Sequence, residues 1–272
     1  MSAQELWKSG RLAEAVEAQT SEVRSHPADP ERRYFLFALL CFAGDLERAS
    51  RQLDALGVGD ERLQGAARIY RNLLASEADR HRAFTGEGKP TIPEDAPESL
   101  RQRVEALGAS HDGDGGKVAA LIEHAVSAEP AVSGTVDGSP FAHLADTDEL
   151  LGPTLEVFAG GRYVLMPFSR LRRLEVPAPQ HVLDLLWVPA RLVDADGTDA
   201  NVHLPVLYEG SHAAAAEPIR LGRGTEWYET GPVVRGLGQK VLTLTGSGLA
   251  EDDRSLLSVR ELTIAAPSTE RG

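Results

Sequence analysis

Carboxylates are the side chains of this sequence with the clearest chemical potential. Asp146-Thr147-Asp148-Glu149, with Glu156 beyond it, could gather around a divalent cation or divide acid and base work between them. The same residues, followed at once by Gly152-Pro153, also suit an acidic turn, in which Asp side chains accept hydrogen bonds from nearby backbone N–H groups. The turn is the expectation; a metal-dependent enzyme built on Asp146, Asp148 and Glu156 is the alternative. Glu77 and His81 form a second candidate, one helical turn apart. That spacing suits a mutually satisfied pair at a junction between helices or domains, and it equally suits a recognition site.

Other stretches look chemical and lack a necessary part. Gly86-Glu87-Gly88-Lys89-Pro90 has Ala83 where a phosphate loop needs its first glycine, and Pro90 where it needs a hydroxyl for Mg²⁺. Asp112, Asp114 and Glu123 fit three positions of a calcium loop, but Lys117 occupies the position of the required glycine. The eight histidines are scattered, and one cysteine cannot join them in a zinc spacing. Gly246-Ser247-Gly248 is too short for a nucleophile elbow. Gly222-Arg223-Gly224 and Gly236-Leu237-Gly238 are expected to be turns. Cys41 sits in the apolar run Tyr34–Phe42 and is expected to be a small core residue. Arg162, Arg170, Arg172 and Arg173 are expected to form a solvated or internally paired face. No catalytic residue, metal or cofactor is expected.

The elements that hold these residues change character along the chain. Gly10-Arg11-Leu12-Ala13-Glu14-Ala15 and Gly44-Asp45-Leu46-Glu47-Arg48-Ala49 repeat glycine, leucine and alanine at a spacing of 34 residues, the period of tetratricopeptide (TPR) helical hairpins. In such a hairpin the glycine ends the first helix, and the small alanine lets the two helices approach. Asp29-Pro30-Glu31 predicts an N-cap and the start of the next helix. Two repeats do not close a core. More helix follows: Leu63, Ala67, Tyr70, Leu74, Glu77, His81 and Phe84 share one face of a helix over 61–84. Residues 86–99 carry the helix breakers of a connecting loop, and helices are predicted near 97–107 and 116–128, with a flexible segment at 111–116 between them.

From Gly134 the punctuation is that of strands. Leu155–Phe158 and Arg162–Leu165 flank Gly160-Gly161 as a hairpin. Asp184–Val193 and Asn201–Tyr208 flank Asp196-Gly197 as a second, and Val241–Thr245 and Val259–Ile264 bring the sheet to five to seven strands. The fold class is therefore α+β: a TPR-like helical domain over 1–130, a β-rich rolled sheet or partly open barrel over 131–267, and a frayed tail over 268–272. The net charge of −13 falls almost wholly in residues 91–272, which hold 15 basic and 27 acidic side chains. An acidic surface argues against nucleic acid as a partner. With no signal-like N-terminus and no apolar run long enough to span a bilayer, a cytoplasmic location off the membrane is expected.

Several blocks of the second part also occur in one known order. Asp146-x-Asp148, Gly152-Pro153-x-Leu155-Glu156, Gly160-Gly161-x-Tyr163-x-x-x-Pro167-Phe168 and Asp184-Leu185-x-Trp187-x-Pro189-Ala190 come first. Pro205-x-Leu207-Tyr208, Thr225-Glu226-Trp227 and Gly236-x-Gly238-Gln239 follow. Together they resemble the ImpE/SciE/TagJ family across nearly the whole chain. The pattern departs at Leu150, where arginine is expected, so no salt bridge is expected from that position. On the long helix, Tyr70-Arg71 and Glu77-x-x-Arg80 match as well. The resemblance implies an accessory component of the bacterial type VI secretion system, a non-catalytic adaptor for the small sheath subunit. It implies binding to the N-terminal helix of that subunit and an indirect link to the ATPase that recycles contracted sheaths. Helical hairpins agree, because they present grooves that accept an amphipathic helix. Tyr70, Arg71, Glu77, Arg80 and His81 are the residues expected to meet the partner. A TPR scaffold for an unrelated partner is the remaining alternative.

Overall fold

A computed structural model describes residues 1–56, 61–246 and 249–265. Two hairpins lead the chain, α1 (Ala3–Lys8) with α2 (Leu12–Ser25) and α3 (Pro30–Phe42) with α4 (Leu46–Leu56). The 34-residue repeat is written in their hydrogen bonds. Gly10 and Gly44 adopt φ of 86° and 71°, in the left-handed region that ends a helix cheaply only for glycine. Arg11 N–H donates to Leu6 C=O at 2.9 Å, and Asp45 N–H donates to Leu40 C=O at 3.0 Å. Ala15 and Ala49, behind these turns, are completely buried. Asp29 caps α3 as its sequence predicts, accepting from the N–H groups of Glu31 and Arg32 with Pro30 at the first helical position.

Helix α5 (Glu61–Phe84) spans the predicted range, followed by α6 (Glu98–His111) and α7 (Gly115–Ser127). The segment expected to be a flexible connector is shorter than expected. Asp114 accepts from Lys117 N–H at 3.0 Å and caps α7, which draws Gly115 and Gly116 into the helix. The loop after α5 does more than connect. Thr91 pairs in parallel with Val164 through two backbone hydrogen bonds of 2.9 Å.

Thirteen strands follow among the described residues, where five to seven are expected from sequence. They are β1 (Gly134–Val136), β2 (Ser139–Phe141), β3 (His143–Asp146), β4 (Thr154–Ala159), β5 (Arg162–Pro167) and β6 (Leu171–Glu175). Then come β7 (Trp187–Asp194), β8 (Asp199–Pro205), the short helix α8 (Glu217–Arg220), β9 (Thr225–Thr230) and β10 (Val233–Gly238). The last are β11 (Val241–Gly246), β12 (Leu249–Ser255) and β13 (Glu261–Ile264). Eight form an antiparallel sheet in the order β2-β1-β13-β6-β7-β8-β4-β5, beside the smaller sheets β10-β9 and β12-β11-β3. The large sheet is open, since β2 and β5 at its ends do not pair. It is thus a sheet and not a closed barrel. The strands missed in the sequence are short or lack alternation: β1 and β2 have three residues each, and four consecutive residues of β9 are exposed.

Gly160 and Gly161 make the tight turn between β4 and β5 with φ of 58° and 81°, as a two-residue hairpin of this type requires. Gly236-Leu237-Gly238, expected to be a turn, is instead the end of β10. A Cβ at Gly236 would lie 2.4 Å from the Tyr208 ring, so glycine here admits an aromatic ring against the strand. Ser247 and Gly248, and the tail expected over 268–272, fall outside the described residues.

The helical and β-rich parts share one connected set of buried apolar side chains, from Leu6 to Ile264. Helix α5 lies over the β4–β5 hairpin, where Ser76 Oγ donates to Arg162 C=O at 3.2 Å. Both repeat turns meet the segment between β8 and β9. Arg223 donates to Trp7 and Lys8 carbonyls at 2.7 and 2.9 Å, and the His212 ring sits against Gly44.

Candidate functional site

The last turns of α5 aim Glu77 and Arg80 at the sheet. Arg80 is 2% exposed, and its guanidinium clasps the Glu156 carboxylate on β4 at 2.7 and 3.2 Å. It also donates to Leu207 C=O at 2.9 Å and to Glu77 at 3.1 Å. A two-pronged bond of this kind fixes orientation as well as charge. Glu156 accepts a third hydrogen bond from Tyr163 Oη at 2.8 Å and pairs with Lys240. Lys240 Nζ lies 3.0 Å from Asp146, which also accepts from Tyr208 Oη at 2.8 Å. Arg235 completes the series by donating to Asp148 at 2.7 and 2.9 Å.

Burial sets the electrostatics of this network, and the cations decide its outcome. Burial alone would raise the Glu156 pKa, but Arg80 and Lys240 overcome it and hold the carboxyl down at about 2. Asp146 is pushed up to about 6 by burial, because Lys240 offsets the burial only in part and Asp148 opposes ionisation. Glu77 is likewise raised by burial, with Arg80 pulling it down and Glu209 pushing it up. Asp146 and Asp148 form the acidic turn that the sequence favours. Asp146 accepts from Asp148 N–H at 2.9 Å, and Asp148 accepts from Leu150 N–H at 3.0 Å. Their remaining lone pairs face Lys240, Arg235 and Tyr208, so a metal ion would have to displace two buried cations. Among the described residues no group of three or more His, Cys, Asp and Glu is arranged to hold a metal ion.

Beside the network opens a cleft of about 450 Å³, bounded by the α3–α4 turn, the end of α5, the start of β7 and residues 207–212. Phe42, Leu186 and Leu207 supply apolar wall. Glu77, Arg80 and Trp187 line its inner side, and His81 and Glu209 also face it. Glu77 accepts from the Trp187 indole N–H at 2.8 Å. The His81 ring, 55% exposed, bonds Glu209 at 2.8 Å. The expected Glu77–His81 pairing is therefore replaced by two partners from distant segments, which reach each side chain with hydrogen-bond geometry. The pair does sit at a junction, as expected.

Residues 138–263 match the family described as ImpE protein. The type VI secretion system accessory component TagJ of Pseudomonas aeruginosa is 38% identical over 262 residues, covering 96% of this chain and 90% of that protein. The chain belongs to the ImpE/TagJ family. The crystal structure of a Vibrio parahaemolyticus protein superposes with a TM-score of 0.86 at 22% identity, covering 97% of each chain. That likeness concerns the fold, an N-terminal run of helices before a β-rich part.

The blocks that carried the family resemblance meet at the buried network. Asp146, Asp148, Glu156, Tyr163 and Tyr208 belong to it directly, and Trp187 joins it through Glu77. Leu150, the departure from the ImpE/TagJ pattern, is 1% exposed in the core, and Asp148 pairs with Arg235. Of the five candidate residues on α5, Glu77, Arg80 and His81 come together at the cleft. Tyr70 is half-buried and shares a 2.9 Å hydrogen bond with Tyr34, while Arg71 is exposed beside Asp54 at 3.1 Å. Arg235 and Lys240 were missed in the sequence. Their one available signal was position, since they flank the Gly236-x-Gly238-Gln239 block without belonging to it. Cys41 is core, as expected, with burial pushing its thiol well above the ordinary range. Two of the four residues of the arginine face pair with surface acids, Arg170 with Asp95 at 2.5 Å and Arg173 with Glu175 and Glu261 at 2.8 and 2.9 Å.

Proposed function

We propose that this protein is a non-catalytic adaptor of the type VI secretion system. It works in the cytoplasm, binds the N-terminal helix of the small sheath subunit, and assists the ATPase-linked disassembly and recycling of contracted sheaths. The observation that carries this is 38% identity to TagJ over almost the full length of both chains. Paired helical hairpins support a helix as the ligand, because their grooves accept apolar anchors spaced along one helical face. Among the described residues no helix is long and apolar enough to cross a membrane, in keeping with that placement.

The helical part, residues 1–130, carries the contact through α5. Arg71 and His81 are exposed and available to touch a partner, while Glu77 lines the cleft. Arg80 positions Glu77 and is itself held by Glu156, and Tyr70 braces α5 against Tyr34 on α3. The β-rich part, residues 131–267, fixes the end of α5 and closes one side of the cleft. A pull-down of the intact small sheath subunit, set beside a version lacking its N-terminal helix, tests the proposal. Capture of the first and loss of the second is the expected result; equal capture of both, or of neither, removes the mechanism.

A further inference from the structure

We infer that the cleft between the Gly44 turn and residues 207–212 is a socket for one basic side chain of the partner helix, a lysine or an arginine, flanked by apolar residues. It rests on the proposed helix-binding role and names the anchor within it. The first observation is a charge balance. The network and the inner side of the cleft hold five carboxylates, Asp146, Asp148, Glu156, Glu77 and Glu209, against three cations, Arg80, Lys240 and Arg235. Asp146 is matched by Lys240, Asp148 by Arg235 and Glu156 by Arg80, the closest approach in each case being 2.7–3.0 Å. Glu77 and Glu209 are left sharing the outer nitrogen of Arg80, at 3.1 and 3.7 Å.

The surroundings do not cancel this excess. Asp45 and Glu47, on the rim, are answered by Arg48 and Arg51 of their own helix, and Arg82 is answered by Asp79. His212 is disfavoured as a cation, because burial lowers its pKa. Besides the shared Arg80, the exposed His81 ring meets Glu209. Among the described residues, two carboxylates, 17% and 11% exposed, thus face the cavity with the shared Arg80 and the titratable His81 as their cationic neighbours. Burial raises the Glu77 pKa, with Arg80 pulling it down and Glu209 pushing it up.

Shape selects the occupant further. A volume of about 450 Å³ is far more than a bare ion needs, and Phe42, Leu186 and Leu207 offer an apolar wall to a methylene chain. A lysine or arginine stem would lie along that wall, with its head reaching Glu77 and Glu209. Apolar residues one turn away on the same helix would rest on the half-buried Leu46 at the α3–α4 turn.

The test is calorimetric titration of the full-length protein with a synthetic peptide of the sheath subunit's N-terminal helix. The Glu209→Gln variant, altered on a surface loop, is expected to bind about tenfold more weakly, as loss of a charge-assisted contact implies. Glu77→Gln, which keeps an acceptor for the Trp187 indole, is expected to act in the same direction. Replacing the anchoring lysine or arginine of the peptide by glutamine is expected to cost a similar factor, with no further loss when combined with Glu209→Gln. Affinity for the wild type is expected to fall as salt is raised. A peptide that binds the wild type but is indifferent to Glu209→Gln, to its own basic residues and to salt overturns the socket and leaves the adaptor role standing. A peptide that does not bind the wild type overturns both.

Discussion

Two collections of basic side chains and carboxylates meet on the β-rich half, alike in composition and opposite in setting. Arg170, Arg173 and Arg191 pair with Asp95, Asp196, Glu175, Asp199 and Glu261 at the surface, where each of those acids is 35% to 67% exposed. Arg80, Lys240 and Arg235 pair with Glu156, Asp146 and Asp148 inside, where no side chain is more than 9% exposed. Distances in the two sets are similar, so distance is not what separates them. Water screens the first set and competes for its hydrogen bonds, and the second set has only itself. Buried ions must therefore be matched almost one for one, with every remaining lone pair satisfied by Tyr163, Tyr208 or a backbone N–H. The surface set can gain or lose a member without leaving a charge stranded.

The sharpest way to break the contrast is to strand a buried charge. Glu156→Gln leaves Arg80 and Lys240 close together with one carboxylate fewer between them, and a loss of about 3–5 kcal/mol is expected by urea unfolding. Acid reveals the same group without mutation. Glu156 is held at about 2 in the folded protein against an ordinary value of 4.5, so its contribution is present above pH 4.5 and disappears as pH falls towards 2. Asp146 works in the opposite sense. Its folded value of about 6 lies above the ordinary 3.8, so its contribution is complete below pH 3.8 and is lost as pH rises through 6. Urea midpoints across pH 2–7 are expected to lose their steep acid limb in Glu156→Gln, and retention of that limb would assign it elsewhere.

A smaller effect is expected at the margin of the network. Trp187→Phe keeps an aromatic ring but removes the indole N–H that Glu77 accepts, at a cost of about 1–3 kcal/mol. The smallest belongs to the exposed set. Arg173→Ala, which breaks two exposed pairs at once, is expected to cost less than about 1 kcal/mol in the same urea assay. A cost near that of Glu156→Gln would erase the distinction between the two collections.

How far the sequence can be read follows from the range of each interaction. The hairpins were legible because a glycine turn, a capping aspartate and a helical face are decided within a few residues, and so Gly10, Gly44, Asp29 and the span of α5 came out as written. The β4–β5 turn was legible for the same reason. Strands β1, β2 and β9 were not, since their pairing depends on partners elsewhere and their own pattern is short or wholly exposed. Gly236 looked like a turn because a glycine pair usually marks one, and only the ring of Tyr208 shows why the strand needs it. At the candidate site, Glu77 and His81 were found as a pair on one helix, but their partners Trp187 and Glu209 stand 110 and 128 residues away.

By itself, then, the sequence determined the hairpin repeat, the long helix, the acidic turn at Asp146-x-Asp148 and membership of a family, all carried by local spacing or by an ordered series of short blocks. The tertiary structure alone decided what those acids face. Placing α5 across β4 turned Glu156 from a possible metal ligand into the partner of Arg80, and placing residues 207–212 against the Gly44 turn made a cleft beside it. Charge interactions act through space without regard to chain order, so the fold had to bring these groups together before their chemistry could be read.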